Sequence, residues 1–389
     1  MSDDRRYKFV EGPNSIRVLP NQITFSFKEK KTMSKDIQIT RLKPSELVSA
    51  IEDAIRSDVI PVVLGSPGSG KSDIIRQVTG GSTLLKYFQS LYKGPKPLKK
   101  VRLVDERVST MDLTDWRGVP DIDRERQRTV WYAPDFLPME SDGPTVVFFD
   151  EITQCPANTQ APLLQILLDR AMGTVWKAPA HTRFIAAGNL MDDGAYANKL
   201  GSALRDRLVA LYLEPDVDDW CRWAYANGIE PSVIAFIRFR PELFYKFDKN
   251  VWASPTARGW EMVSRIVQNA TSRGRSRDAL IEGKVGHGVM MEFTAFEPMF
   301  NTLPNIDAVL LNPDVATLPP ADKPELAYAM ANALSRKATV SNLDRVITYL
   351  NRMREEYAVF AVKMAVRRDE KLQTVPAFSK WAVMHAESM

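Results

Sequence analysis

Short, almost wholly apolar runs recur in the first half of this chain, at residues 59–64, 145–149 and 183–188. Runs of this length without polar alternation are typical of central strands in a parallel sheet, which other elements cover on both faces. After residue 215, the apolar positions recur with helical spacing. The pattern predicts an α/β part with a parallel sheet, followed by a largely helical part.

Helical spacing also occurs before and between these runs. Leu47, Ile51 and Ile55 recur every four residues in a predicted helix over 44–55, which precedes the first core strand. A second helical segment covers 158–169. Helices placed between apolar strands in this way favour the same α/β arrangement.

A polar stretch at 105–143 interrupts the α/β pattern. It follows a predicted strand at 99–104, and its composition predicts an insertion. Apolar positions within it suit a hairpin that runs out along 119–122 and back along 128–132.

Three further segments bear on domain organisation. Residues 1–35 lack clear periodicity and predict a partly extended lead-in. The proline-rich segment 313–324 predicts a linker, and the spacing over 343–367 predicts a long helix.

The composition is that of an ordinary globular protein, with 389 residues of which 44% are hydrophobic and 26% charged. No apolar run approaches the length of a membrane span, and the N-terminus lacks the pattern of a signal peptide. Cys155 and Cys221 are the only cysteines and the three histidines are scattered, which excludes a disulfide framework and a zinc cluster. We therefore expect a soluble cytoplasmic protein without a membrane partner.

The net charge of +4 does not mark the chain as a nucleic-acid binder. Basic residues nevertheless concentrate at 1–45, 93–102 and 272–277. We interpret these segments as solvated surface. A contact with nucleic acid or an acidic partner is the alternative.

The most specific motif is Gly65–Ser72, which fits the phosphate-loop pattern G-x-x-x-x-G-K-[ST]. It lies between the predicted strand at 59–64 and a predicted helix over 73–78, the order that the motif requires. Glycines let backbone N–H groups face an anion, and the helix start adds partial positive charge. Lys71 can reach the β- and γ-phosphates, and the Ser72 hydroxyl can ligate Mg²⁺. The candidate nucleotide-binding residues are Gly65, Ser66, Pro67, Gly68, Ser69, Gly70, Lys71, Ser72 and Asp73.

Two carboxylates, Asp150 and Glu151, follow the apolar run 145–149. An open α/β sheet binds its ligands at the carboxyl ends of its strands. Asp150 would hold Mg²⁺ together with Ser72, and Glu151 would polarise the water that attacks the γ-phosphate. Two solvated acids at a strand end are the alternative interpretation.

Asn189 ends the strand that follows, where its amide would lie beside the γ-phosphate and orient the attacking water. Further along the chain, Ser254 suits the N-cap of another helix and Pro255 its first position. Arg258 lies in the first turn of that helix.

This series of motifs resembles the AAA+ ATPases, specifically their MoxR-like branch, which is also similar to the dynein-related class. The resemblance covers roughly residues 40–270. The family's two Walker motifs align with Gly65–Ser72 and Val146–Glu151, and its sensor 1 aligns with Asn189. Asp112–Gly118 is similar to the insert that projects into a ring pore.

The chain departs from the family at several positions. In the segment after Asp150, Thr153 and Gln154 stand where the family has Asn and Arg. The arginine finger falls on Arg207, next to a leucine that replaces the family's phenylalanine, and Arg205 is the nearby alternative. Sensor 2 commonly reads Ser-Pro-Arg, whereas two residues separate the proline from Arg258 here, and a surface arginine is the alternative interpretation.

The resemblance implies an αβα nucleotide-binding domain with a parallel sheet, an all-α lid and a helical C-terminal region. Nucleotide, ATP or ADP with Mg²⁺, would bind between the domain and the lid. The corresponding boundaries are a lead-in at 1–35, a core at 36–215 with its insertion at 105–143, a lid at 216–270 and a C-terminal specificity region at 271–389.

The resemblance also implies partners. Members of the family assemble as rings, usually hexamers, in which a neighbouring subunit supplies the arginine finger. They often act as ATP-driven remodelling chaperones on protein substrates, with partners that carry a von Willebrand factor A domain.

Three other functions are weighed against this one. A ring motor that acts on nucleic acid would use the basic segments, but the net charge is small and no nucleic-acid module is present. A switch or scaffold that binds ATP without turnover would not need Asp150, Glu151 and Asn189. A small-molecule kinase fits the Asp-Glu pair and the later arginines poorly.

Overall fold

In the computed structural model, the chain divides into two compact units, residues 1–40 and residues 41–389. The structure describes residues 16–19, 22–25, 40–92, 94, 97–190, 193, 200–271, 273–301 and 306–386. Most of the predicted lead-in at 1–35 lies outside the described residues. Within the first unit, β1 (Ile16–Leu19) and β2 (Gln22–Phe25) form an antiparallel pair.

Strands and helices alternate through the first half of the second unit. The strands are β3 (Arg41–Leu42), β4 (Ile60–Leu64), β5 (Arg102–Arg107), β6 (Val119–Asp123), β7 (Arg128–Tyr132), β8 (Thr145–Asp150), β9 (Ala171–Met172), β10 (Trp176–Lys177), β11 (Thr182–Gly188) and β12 (Leu208–Leu213). The helices of this half are α1 (Pro44–Arg56), α2 (Lys71–Thr79), α3 (Ser82–Leu91), α4 (Leu113–Arg117), α5 (Gln160–Asp169) and α6 (Ser202–Arg207).

The second half of the described chain is helical. Its helices are α7 (Val217–Ala226), α8 (Pro231–Phe239), α9 (Ala257–Asn269), α10 (Arg275–Val285), α11 (His287–Asn301), α12 (Ile306–Leu311), α13 (Pro324–Lys337), α14 (Leu343–Leu350), α15 (Glu355–Arg368) and α16 (Pro376–Met384). None of the helices in the described ranges combines the length and the apolar character that a membrane crossing requires.

Six strands form one parallel sheet in the order β3-β12-β4-β11-β8-β5. This confirms the predicted α/β fold with a parallel sheet and a helical region after it. Because all six strands run in the same direction, their carboxyl ends meet at one edge, which we name the carboxyl edge. The opposite edge is the amino edge.

Strand β8 explains why the apolar runs lack alternation. Val147 and Phe149 pack into the core on one face of the sheet, and Val146 and Phe148 pack into the core on the other. All four side chains are inaccessible to solvent. Burial on both faces requires apolar residues at every position, which is the pattern seen in the sequence.

The predicted hairpin of the insertion is present. Strands β6 and β7 pair antiparallel from Val119 with Tyr132 to Asp123 with Arg128. Most of its side chains are exposed, including Val119 and Ile122. The strand predicted at 99–104 begins later, at Arg102, and extends to Arg107 beside β8.

The helices after β12 form two clusters. The first helical cluster, α7 to α11, is built around Trp260, whose indole N–H donates to the carbonyls of Leu243 and Phe244. The second helical cluster comprises α12 to α16 and has Trp381 and Tyr349 in its core.

The prediction of one long helix over 343–367 is wrong, because a non-helical break separates α14 from α15. Arg352, in this break, donates to the carbonyls of Pro313 and Ala316 at 2.6 and 2.8 Å. Tyr349 donates to the Thr317 carbonyl. The proline-rich segment is therefore hydrogen-bonded to the second helical cluster. These contacts join residues distant in sequence, so local periodicity does not reveal them.

Candidate active site

The loop between β4 and α2 has the backbone that a phosphate loop requires. Gly68 and Gly70 have φ values of 72° and 98°, in the left-handed region that glycine adopts without steric cost. A Cβ atom at Gly68 would also lie 2.8 Å from the hydroxyl oxygen of Thr256. The loop leads into the first turn of α2, where free backbone N–H groups favour an anion.

Lys71 is buried at the carboxyl edge and its ammonium group has three acceptors. It donates to the carbonyls of Gly65 and Ser66 at 2.6 and 3.1 Å, and to the side-chain oxygen of Asn189 at 3.0 Å. Burial lowers the pKa of Lys71 to about 8, although the negative charge of Asp150 opposes the shift. The lysine at the end of the loop and the asparagine directly after β11 therefore meet, as the sequence predicts.

Ser72 and Asp150 also meet at this edge. The Ser72 hydroxyl donates to one carboxylate oxygen of Asp150 at 2.7 Å, and the other oxygen accepts from the Glu151 backbone N–H at 2.8 Å. A hydroxyl and a carboxylate are hard oxygen donors of the kind that Mg²⁺ prefers. This donor set fits the magnesium ion that the motif implies.

A cleft of about 640 Å³ opens beside the loop, between α1, α2, α7 and α9. Trp220, Trp223 and Phe244 contribute apolar wall, and Ser69 lies where the cleft meets the loop. The Ser69 hydroxyl is buried and has no hydrogen-bond partner within the described part of the chain. A buried polar atom of this kind suits a ligand group, and the volume suits a small molecule.

Glu151 is held in an unusual conformation directly after β8. Its φ of 57° lies in the left-handed region, which is costly for a residue with a side chain. Its carboxylate accepts a hydrogen bond from the hydroxyl of Ser109. Ser109 follows β5, which pairs with β8, and this adjacency of strands is what brings the two side chains together.

Sequence reasoning missed Ser109 because it did not establish which strand neighbours β8. The only feature of the sequence that could have pointed to Ser109 is its position as a small polar residue two positions after β5.

Asn189 is held in place by Thr153, which lies after β8. Its backbone N–H donates to the hydroxyl of Thr153 at 3.0 Å. Thr153 fits beside Asn189 because the residue before Asn189 is a glycine. A Cβ atom at Gly188 would lie 2.6 Å from the threonine methyl group. The departure at Thr153 thus has a structural role.

The first helical cluster contacts the loop directly. Tyr245 donates from its hydroxyl to the Pro67 carbonyl at 2.8 Å, and the Arg258 backbone N–H donates to the Gly68 carbonyl at 3.2 Å. The Arg258 side chain is exposed and lines the cleft.

The predicted start of the helix that carries Arg258 is wrong by two residues. Thr256, not Ser254, is the N-cap, and its hydroxyl accepts from the Gly259 N–H at 3.0 Å. Thr256 also touches Gly68, so tertiary contact with the loop fixes the position at which α9 begins.

Arg205 and Arg207 lie away from this site. Leu208, which follows Arg207, pairs with Ile60, the first residue of β4. The five residues of β4 therefore separate Arg207 from the loop by about 16 Å along the strand. Both arginines are exposed, and Arg207 contacts the Asp206 carboxylate at 3.1 Å.

The sites predicted from sequence thus fall into two groups. Lys71, Ser72, Asp150, Glu151 and Asn189 come together at the carboxyl edge, with Arg258 at the cleft. The two candidate finger arginines are at the amino edge. Over the described residues, no three or more His, Cys, Asp or Glu side chains gather as a metal site.

Crystal structures of NtrX from Brucella abortus are similar to this chain. The complex with ADP is 13% identical with a TM-score of 0.37, and the match covers 89% of this chain and 68% of that one. The complex with ATP is 14% identical with a TM-score of 0.38, and the match covers 85% and 68%. At such low identities and scores, these likenesses support no inference about function.

In sequence, residues 61–208 match the family described as AAA domain (dynein-related subfamily). No curated protein matches the chain. The matched range begins within β4 and ends at the first residue of β12, so it includes the loop, both carboxylates and Asn189. The parallel sheet and the loop of this range agree with the match, so residues 61–208 are similar to an AAA domain of the dynein-related subfamily in both sequence and fold.

Proposed function

We propose that the chain is an ATPase that hydrolyses ATP to ADP and phosphate, acting as a MoxR-type ring that remodels protein partners. The observation that carries the proposal is the meeting of two pairs at the carboxyl edge, Lys71 with Asn189 and Ser72 with Asp150. These residue types at this edge suit a nucleoside triphosphate and its metal ion.

Nucleotide binding would use the loop for the phosphates and the cleft for the nucleoside. The N–H groups at the start of α2 would face the phosphates. Lys71 would exchange its carbonyl acceptors for β- and γ-phosphate oxygens, which attract an ammonium more strongly than neutral carbonyls do. Ser69, at the junction of loop and cleft, offers a free hydroxyl.

Ser72 and Asp150 would hold Mg²⁺. When bound there, the ion neutralises phosphate charge and so supplies electrostatic stabilisation of the transferred phosphoryl group.

Glu151 is the proposed general base, which takes a proton from the attacking water. Asn189 is proposed to orient that water, since its side chain lies beside Lys71 at the same edge. Ser109 hydrogen-bonds the Glu151 carboxylate and so restrains it toward β5.

We propose a ring of several subunits because the two candidate finger arginines lie at the amino edge, away from the loop. Arg207, or Arg205 beside it, cannot reach the loop of its own chain, because the length of β4 intervenes. A neighbouring subunit could bring it to the γ-phosphate, while Arg258 would act on the nucleotide of its own chain. A homohexamer with a partner that carries a von Willebrand factor A domain is the proposed assembly.

A motor that acts on nucleic acid is not favoured by the basic segment at 272–277. Arg277 in this segment is buried, and its guanidinium donates to both carboxylate oxygens of Glu297 at 2.8 Å. Arg273 lies 3.7 Å from the same carboxylate. Two of the segment's arginines thus pair with a carboxylate inside the first helical cluster. Less positive charge remains to bind the phosphates of a nucleic acid.

Two variants test the proposed function in the full chain. Lys71→Ala removes the cation that faces the phosphates, so we expect it to abolish ATP binding measured by titration. Glu151→Gln keeps the shape of the side chain but cannot accept the proton. It should bind ATP normally and turn it over more slowly by a factor of about 10² to 10⁴.

Unchanged affinity in Lys71→Ala, or near-normal turnover in Glu151→Gln, would contradict the proposal. Native mass spectrometry with and without ATP tests the ring. Capture experiments with Glu151→Gln loaded with ATP test the protein partner.

A further inference from the structure

One acidic side chain, Asp193, contacts the phosphate loop and has no role in the site described so far. The Ser66 hydroxyl donates to one of its carboxylate oxygens at 3.0 Å. Ser66 is the second residue of the loop, and its carbonyl also accepts from Lys71. Asp193 comes four residues after Asn189 along the chain. A carboxylate thus lies where the loop would receive phosphate.

The second oxygen of this carboxylate is unusual. It is inaccessible to solvent and has no hydrogen-bond partner among the described residues. A buried carboxylate oxygen without a donor is costly, because it has lost water without gaining a replacement. A polar group left in this condition at a candidate site indicates a functional constraint.

The charge of Asp193 acts on the groups around the loop. It raises the pKa of Lys71 against the larger effect of burial. It also raises the pKa of Tyr245, for which burial is the larger cause. Tyr245 donates to the Pro67 carbonyl and Lys71 to the Ser66 carbonyl, so both groups on which Asp193 acts hydrogen-bond the first residues of the loop.

These first residues correspond to the γ-phosphate end of the site. The cleft that suits the nucleoside is lined by Ser69, Gly70 and Asp73, whereas neither Ser66 nor Asp193 lines it. Lys71, which reaches the β- and γ-phosphates in this motif, has its ammonium group at Ser66. Asp193 is therefore nearer the position of the last phosphate than that of the first.

We propose that Asp193 determines the selectivity of the site between tri- and diphosphate. The inference rests on the proposed function. A carboxylate fixed by Ser66 repels the γ-phosphate, which is an anion, more than it repels the α- and β-phosphates further along the loop. Asp193 therefore weakens ATP binding more than ADP binding. The chain holds its product tightly relative to its substrate.

The test is the ratio of two dissociation constants. A non-hydrolysable ATP analogue and ADP, each with Mg²⁺, are titrated against the full-length wild type and Asp193→Asn. The amide keeps the shape of the side chain and removes its charge. We expect the variant to bind the analogue about tenfold more tightly or better, and ADP less than about threefold more tightly.

Two further variants serve as controls. Asp322→Asn makes the same change of net charge at an exposed position in the segment before α13, so both dissociation constants should stay at their wild-type values. Ser66→Ala removes the donor that holds the carboxylate, and should shift the ratio in the same direction as Asp193→Asn but by less. Melting temperatures of all variants show whether each is folded.

Several outcomes would overturn the inference. An unchanged ratio in a folded Asp193→Asn, or equal tightening of both nucleotides, would exclude selectivity for the γ-phosphate. Lost turnover with unchanged affinities would assign Asp193 to the chemical step instead. If the wild type binds neither nucleotide, the proposed function fails as well, whereas binding with an unchanged ratio overturns this inference alone.

Discussion

The candidate residues that come together at the carboxyl edge of the sheet are buried or half-buried, whereas those at the amino edge are exposed to solvent. At the carboxyl edge, Lys71 and Asp150 are buried, and each hydrogen-bonds a side chain from another element, Asn189 after β11 and Ser72 in α2. At the amino edge, Arg207 leaves 45% of its side chain exposed and forms an ion pair with its neighbour Asp206. One edge is assembled by the fold of a single chain, and the other presents its arginine outward.

The difference shows what one chain can and cannot build. Strand pairing brings the ends of β4, β8 and β11 together without help, because parallel neighbours place their carboxyl ends side by side. The amino edge is separated from the loop by the length of β4, and a neighbouring copy is the route by which its arginines are proposed to serve the site. The proposed ring follows from this separation.

Arg207→Ala should have the largest effect on activity. An arginine finger is worth about 10³ to 10⁵ in rate, or roughly 4–7 kcal/mol of barrier. The variant should bind ATP nearly normally and hydrolyse almost none, as measured by titration and steady-state turnover. Arg205→Ala is the matched variant two residues away and should retain most activity.

Mixing Arg207→Ala with Lys71→Ala protein tests whether Arg207 acts between subunits. In mixed rings, an intact arginine from one subunit can face an intact loop in the next, so part of the activity should return. The rescue should vanish at dilutions that dissociate the ring. Mixed rings seen by native mass spectrometry without any recovered turnover would exclude action in trans.

Phe149→Ala should lower the free energy of unfolding by about 3–5 kcal/mol, because it leaves a cavity beneath the carboxyl edge. The Phe149 ring lies 5.9 Å from that of Trp116 and stacks on Phe184 at 6.2 Å. Denaturant unfolding measures the change. Val209→Ala, at an exposed position of the same sheet, should cost less than about 1 kcal/mol. Equal costs would mean that the two edges do not differ in burial.

Ser109→Ala should have the smallest effect. The serine hydroxyl holds the Glu151 carboxylate toward β5, so its removal leaves that carboxylate free to approach the attacking water. We expect turnover to rise about two- to tenfold while ATP affinity stays constant. Slower turnover would show instead that Ser109 holds Glu151 in its working position.

Sequence reasoning predicted the parts of the fold and site that depend on local order. The apolar runs predicted the central strands, and the loop motif placed Lys71 and Ser72 at the junction between the loop that follows β4 and the next helix. The motifs also placed Asp150 and Asn189 at strand ends, where an open α/β sheet binds its ligands.

What the sequence did not reveal depends on contacts between distant residues. The Ser109 hydroxyl contacts Glu151 because β5 pairs with β8. The Thr153 hydroxyl contacts the Asn189 N–H because β8, which Thr153 follows, pairs with β11. The start of α9 at Thr256 is set by its contact with Gly68. Each partner is an ordinary small polar residue, and nothing in its local pattern distinguishes it from a surface residue.

The contacts of Gly68 have a mechanical consequence. Its carbonyl accepts from the Arg258 N–H, and its missing side chain leaves the space that Thr256 occupies. Tyr245 fixes the preceding carbonyl, that of Pro67. With three attachments on two adjacent residues, the first helical cluster cannot rotate without pulling on the backbone that would hold phosphate. If phosphate leaves the loop and the loop backbone moves, these direct contacts would move the helices of the first helical cluster with it.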